Sequence, residues 1–254
     1  MTRLDLELQR LYRPPAPGPD AAAPLLGAGG HLRALVLEVH GPADWPALAR
    51  VWQGVQAELA WPAPAIAVNG DDGFQLWFSL AAPVPAAQAA ALLEALRQRH
   101  LPDMPARRVR LLPGTPGWHP GAVPARRADH TGDEQWSAFI SQDLAPMFAD
   151  TPWLDTPPNP DGQAGLLATL RCIPVALWQQ ALETLGLQPA PGGPAAAAPI
   201  GAEAGALPPA TGFSAAGTEA DPRRFLLAVM NDPAVPLALR IDAAKALLPG
   251  AGQR

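Results

Sequence analysis

One cysteine, Cys172, and one lysine, Lys245, occur in 254 residues. A lone thiol excludes an intramolecular disulfide and any paired-cysteine zinc site, so nothing points to an oxidising compartment. No apolar run approaches the roughly 20 residues a membrane span requires, and Met1-Thr2-Arg3-Leu4-Asp5 brings charge in at once. Neither a signal peptide nor a membrane contact is expected, and a cytoplasmic location is the default. The phosphate-loop pattern Gly-x-x-x-x-Gly-Lys-Ser/Thr is missing, and Ser79 and Ser137 lack the glycine pattern of a nucleophile elbow. Serine hydrolysis and phosphate-loop nucleotide hydrolysis are therefore without support. Charged residues make up only 16% of the chain and sum to −5, which argues against indiscriminate polyanion binding.

Proline and glycine are abundant instead, at 33 and 23 residues. They concentrate in residues 14–30, 113–124 and 189–218, where no apolar periodicity survives. These stretches divide the chain into an N-terminal helix and proline-rich linker (1–30), a main α+β domain (31–150), a helical hairpin (151–187), a disordered linker (188–220) and a two-helix tail (221–254).

The most informative segment is the hairpin at 65–80. Phe74, Leu76, Phe78 and Leu80 alternate with Gln75, Trp77 and Ser79, the period of a strand with one buried face. Asn69-Gly70-Asp71-Asp72-Gly73 before it suits a tight reversal, so the run Ala65-Ile66-Ala67-Val68 should pair with it antiparallel. Residues 33–40 form a further strand with Leu35, Leu37 and Val39 on one side and Ala34, Val36, Glu38 and His40 on the other. Leu48, Val51, Trp52, Val55 and Leu59 recur at helical spacing, as do Leu92, Leu93 and Leu96, and Val109 to Leu112 supplies a last strand. The order strand, helix, strand, strand, helix, strand is that of the ferredoxin-like, RRM-like βαββαβ sheet, with helices on one face and the other available. Glu38, His40, Gln75, Trp77 and Ser79 are expected to share that open face.

Beyond this unit, Trp136 to Ile140 and a short helix to Phe148 should pack on the sheet. Leu166, Leu167 and Leu170, then Leu177, Trp178, Leu182 and Leu185, mark the two helices of the hairpin, broken at Pro174. In the tail, Asp221-Pro222 reads as a helix cap followed by Phe225, Leu226 and Val229. Arginines cluster: Arg97, Arg99, Arg107, Arg108, Arg110, Arg126 and Arg127 stand against one acid, Asp103, between positions 97 and 127. Such a zone either follows a phosphate backbone, to which arginine offers a planar fork, or is a solvated face.

The strand Gly73-Phe74-Gln75-Leu76-Trp77-Phe78-Ser79-Leu80 after a glycine turn, within a βαββαβ order, resembles the archaeo-eukaryotic primase superfamily and its RepB-like plasmid and phage primase domains. The resemblance covers about residues 31–140. It implies metal-holding carboxylates at the end of the first strand, where Glu38 and His40 stand. The family's histidine on the hairpin has no counterpart, and residues 107–112 lack an acid, so polymerisation is not expected. The tail, 221–249, resembles helical segments of phage packaging-associated proteins.

Each candidate has two readings. Glu38 and His40 project to the same side and can share a divalent metal if Asp71 or Asp72 joins them; paired aspartates in a glycine turn also simply form turns. Trp77 is either a platform for a base or is covered by the segment Trp118 to Phe139. His119, Asp129 and His130 fall in a loop and should face solvent. The expectation is a phage- or mobile-element-derived, primase-like but non-catalytic module. It would bind DNA or RNA through Gln75, Trp77, Arg107, Arg108, Arg110, Arg126 and Arg127. The alternatives are a protein-interaction scaffold using its helices and tail, and a surviving metal-dependent nucleotidyl transferase.

Overall fold

The computed structural model describes residues 1–13, 25, 27, 30–127 and 134–188. The linkers at 14–24 and 189–220, the tail at 221–254, and Asp129 and His130 lie outside them. Among the described residues five α-helices and six strands follow in the order α1 (Arg3–Leu11), β1 (His31–His40), α2 (Trp45–Leu59), β2 (Ala65–Val68), β3 (Gly73–Pro85), α3 (Ala86–His100), β4 (Val109–Leu112), β5 (Ala125–Arg126), β6 (Trp136–Ile140), α4 (Pro160–Ala168) and α5 (Val175–Thr184). The strands form one α+β sheet in the order β4-β1-β3-β2-β6-β5, every neighbouring pair antiparallel.

Local chemistry explains the element ends. The Asp44 carboxylate accepts from the Ala47 amide with Pro46 in the first turn, which starts α2. In the β2–β3 turn the Asn69 side-chain oxygen accepts from the amides of Asp71 and Gly73. Gly70 there has φ +82°, and a β-carbon at this position would lie 2.8 Å from the Ser137 nitrogen, so only glycine fits. The outer edge of β4 is closed locally: the Val109 amide donates to Ala106, and that of Leu111 to the Thr115 hydroxyl. An edge whose donors are satisfied this way offers no template for another strand.

The alternation in β1 and β3 sorts residues onto two faces, and both are covered. Leu35, Leu37, Val39, Phe74, Leu76 and Phe78 pack against α2, α3 and α5. On the opposite face, Ala34, Val36, Ala65, Ala67, Trp77 and Phe139 form a second core with Leu4 and Leu11 of α1, Tyr12, and Ala164 and Leu167 of α4. This corrects the expectation of helices on one face and an open sheet surface on the other. The reason is energetic: leaving aromatic rings such as Trp77 and Phe139 in water would forfeit about 2–3 kcal/mol each. Tyr12 closes the gap, stacked on Phe139 at 6.2 Å and edge-on to Trp77 at 5.3 Å between ring centroids.

The expected hairpin at 151–187 straddles the sheet instead. Helix α4 belongs to the second core and α5 to the first. The connection runs beside the middle of β3, where the Ile173 amide donates to Ser79 and Ile173 accepts from the Ala81 amide. Helices α1, α4 and α5 are therefore parts of one sandwich with the sheet, and residues 1–188 fall within one compact unit.

Candidate nucleic-acid interface

Strand register sets Arg110 of β4, Glu38 of β1 and Gln75 of β3 side by side in one row. Their side chains form a chain of hydrogen bonds running out of the second core. The Trp77 indole donates to Gln75 Oε1 at 2.8 Å, Gln75 Nε2 donates to Glu38 Oε2 at 2.6 Å, and Arg110 Nη1 donates to Glu38 Oε1 at 3.1 Å. Glu38 and Gln75 are only 2% and 3% exposed. A carboxylate taken out of water needs such a partner for each oxygen, and Glu38 has one on both.

A cavity of about 290 Å³ lies against this row, roofed by residues 118–127. Glu38, Gln75 and Arg110 contribute to its wall together with Asn69, His119, Arg126, Arg127 and Ser137. The Ser137 hydroxyl ties the roof down: it accepts from the Ala125 amide at 2.9 Å and lies within 3.2 Å of the Ala122 and Ala125 carbonyls. On the far side of Arg110, between α3 and β4, a wider groove of about 600 Å³ is lined by Arg97, Arg107, Arg110, Glu94 and His40 over an alanine-rich helix face. Arg110 belongs to both hollows.

The other predicted residues fall out as follows. Trp77 is 5% exposed under Tyr12 and Phe139, so it offers no surface to a base, and the cover comes from α1 and α4 as well as from β6, two strands away. Ser79 is buried and lies 3.3 Å from the Arg171 carbonyl. Arg108 donates to the carbonyls of His40 and Pro42, bracing the end of β1. Arg127 pairs with Asp71 at 2.6 Å, while Arg126 faces Glu134 at 3.9 Å with both side chains more than half exposed. Arg97 is held by Glu94 and Arg99 by Glu58. The hydrogen bond from Arg97, opposed by some desolvation, holds the Glu94 carboxyl below its ordinary range and the guanidinium above its own. Arg107 is exposed and has no side-chain partner among the described residues.

Glu38 and His40 gain no third ligand. Asp71 is engaged with Arg127, and Asp72 accepts from Asn69 and stands 3.6 Å from His40 Nδ1, within the turn itself. Among the described residues no group of three or more histidine, cysteine, aspartate or glutamate side chains is placed to hold a metal ion. Sequence reasoning took Asn69 only as a turn former and Ser137 only as an unsupported nucleophile, and it offered the segment from Trp118 as a cover for Trp77 without placing it over the Arg110–Glu38–Gln75 row, because a proline- and glycine-rich loop carries no periodicity to say where it lies. No family model matches the chain, and no curated protein is significantly similar to it. Among the described residues no helix is long and apolar enough to cross a membrane.

Proposed function

We propose that the chain is a non-catalytic, nucleic-acid-associated module on the ferredoxin-like split βαβ plan, with its contact surface along the β4 edge rather than on the sheet face. The order β4-β1-β3-β2 of its first four strands, with α2 and α3 on one side, supports that plan. The primase-like setting in replication or mobile-element biology rests on the resemblance of the Gln75-x-Trp77 strand. One observation carries the contact surface: Arg110 lines both hollows, so the arginines of the two form a continuous strip. Together they hold five arginines, Arg97, Arg107, Arg110, Arg126 and Arg127, with Glu38 and Glu94 in the lining and Asp71 and Glu134 beside it, which leaves Arg107 as the member without a carboxylate partner among the described residues. The whole chain carries −5. A local excess of arginine in an acidic protein concentrates positive potential where phosphates would run.

In this reading Gln75 and Trp77 position Arg110 through Glu38, and DNA or RNA touches the arginines alone. The helices once assigned to a protein scaffold, α4 and α5, are spent on the two cores; a tail-mediated protein partner concerns residues outside those described. Fluorescence anisotropy with a single-stranded oligonucleotide tests the proposal. Binding should be measurable at about 50 mM salt and fall steeply by about 200 mM. Replacing Arg107 and Arg126, the two exposed members, by alanine should flatten the dependence of log K on log salt by about 1.4, at ~0.7 per lost phosphate contact. Arg108→Ala should leave the slope unchanged. No binding at the lower salt removes the proposal.

A further inference from the structure

Two exposed surfaces toward opposite ends of the sheet match in shape and charge. The first is the groove between α3 and β4, where the small side chains of Ala90, Ala91 and Ala106 leave a hollow of about 600 Å³ above Val109 and Leu111. The edge of β4 beside it is closed, so a partner can enter by side chains and not by adding a strand. Arg97 in its wall is spent on Glu94, which leaves Arg107 as an exposed cation without a carboxylate partner among the described residues. The second surface follows β6. Ala145 anchors the short turn Ala145–Phe148 in the first core, while Leu144 and Met147 stand 47% and 74% exposed. Single apolar residues on a surface are ordinary. Here, however, four large apolar side chains are exposed among the described residues, and two of them lie three positions apart in this turn. Asp143 and Asp150 flank the pair, exposed and without an ion-pair partner among the described residues, and no lysine or arginine occurs from 128 to 170. The turn is thus an apolar knob with an acidic rim.

Within one molecule the two surfaces do not meet. In the sheet order β4 comes first and β6 fifth, four strand spacings of about 4.8 Å apart, with β1, β3 and β2 between them. We infer that the groove receives the 144–147 knob of a second copy of this chain, so that copies associate head to tail. Methionine suits the role because its unbranched side chain adapts to an irregular hollow lined by alanine. Asp143 and Asp150 then approach a rim whose free charge is Arg107, whereas knob against knob would bring the acidic rims together. Charge therefore selects a contact between unlike surfaces. Each copy added this way still presents one knob and one groove, so association continues past the dimer unless its rotation closes a ring. One turn in one groove falls at the small end of the interface range, below about 1,200 Å², and the association belongs to the weak, concentration-dependent class.

Sedimentation velocity on the full chain tests the inference. At about 50 mM salt the weight-average mass should climb between about 10 and 500 μM protein, and it should fall back as salt rises to about 500 mM. Met147→Asp puts a charge on the knob, and Ala91→Glu, at an exposed helical position, fills the groove and repels the acidic rim. Each variant alone should sediment as a monomer with the circular dichroism of the wild type. Arg107→Glu, outside the helix, gives a second groove variant with the same expected outcome. Mixed in equal amounts, Met147→Asp and Ala91→Glu should form a 1:1 dimer and nothing larger, because one copy keeps its groove and the other its knob. A wild type that stays monomeric at about 500 μM overturns the inference. So does association that survives either substitution, as it would if residues 189–254 or a symmetric patch held the copies together, and so does a mixture of the two variants that fails to pair.

Discussion

Gln75 spends both ends of its amide inside the protein, accepting from the Trp77 indole and donating to Glu38, and among the described residues Arg110 is the one charged group paired with that carboxylate. Removing one member of a buried ion pair leaves the other desolvated and unpaired, which costs more than the pair itself contributes. Arg110 is 39% exposed, so water enters when it is lost and the penalty is reduced. Arg110→Ala should lower the unfolding free energy by about 2 kcal/mol in urea titration, and a loss near zero would show that Glu38 reaches solvent by another route. A second residue sets a pH response. The His100 ring occupies the space a side chain at Gly54 would need where α2 and α3 cross, and its Nε2 is buried without a partner among the described residues. Desolvation lowers its pKa below the ordinary 6.5, with Arg99 adding to the shift and Glu58 opposing it. The neutral form is therefore the one that fits. Stability from His100 is complete above the unfolded value of 6.5 and is lost as pH falls below it, because the unfolded chain then binds the proton first. Thermal unfolding should show the wild type losing more stability between pH 7.5 and 5 than His100→Gln does. Equal losses would mean the ring rotates to water.

At the scale of elements, α1 is the piece whose role the sequence concealed. Its capping box, Thr2 with Asp5, marks a helix start, and Leu4, Leu11 and Tyr12 mark an apolar side, yet local periodicity does not say what that side meets. It meets Trp77 and Phe139, residues that follow it by more than sixty positions. Tyr12 is fully enclosed, and burial pushes its phenol well above the ordinary 10. Tyr12→Ala should cost about 3 kcal/mol and shift tryptophan emission to longer wavelength as Trp77 becomes wet. Unchanged emission would show that the second core holds without it. The strands were legible for the opposite reason: a period of two is local, and Leu35, Leu37, Phe74, Leu76 and Phe78 all fall on the face it assigns. The face read as open carried its own warning in Ala34, Val36, Ala65 and Ala67, four small apolar residues that suit close packing better than a wet surface. Glu38, Gln75 and Ser79 masked that signal, because a polar residue reads as exposed until its buried partner is known.

For the whole molecule, the arginine cluster was legible because α3, the turn at 106–108 and β4 are neighbours in the chain as well as in space. The pairing of its members was not, since Asp71 and Glu58 reach Arg127 and Arg99 from distant elements. The same non-local pairing bears on nucleotidyl transfer. Two-metal phosphoryl transfer needs several carboxylates whose oxygens are free to hold hard cations near a triphosphate. The resemblance puts the first of these at Glu38, where both oxygens are taken by Gln75 and Arg110, and β4 contributes an arginine where a further acid would be needed. Releasing Glu38 for a metal would break a buried hydrogen-bonded chain that begins at Trp77 in the second core, and would leave Arg110 facing the incoming cation. Purified protein given primed template, nucleotides and either Mg²⁺ or Mn²⁺ should therefore extend no primer beyond a protein-free blank. Extension by the wild type that is absent from a folded Glu38→Gln variant would show that the ion pair opens on substrate binding, and would turn Glu38 from the anchor of an arginine strip into a metal ligand.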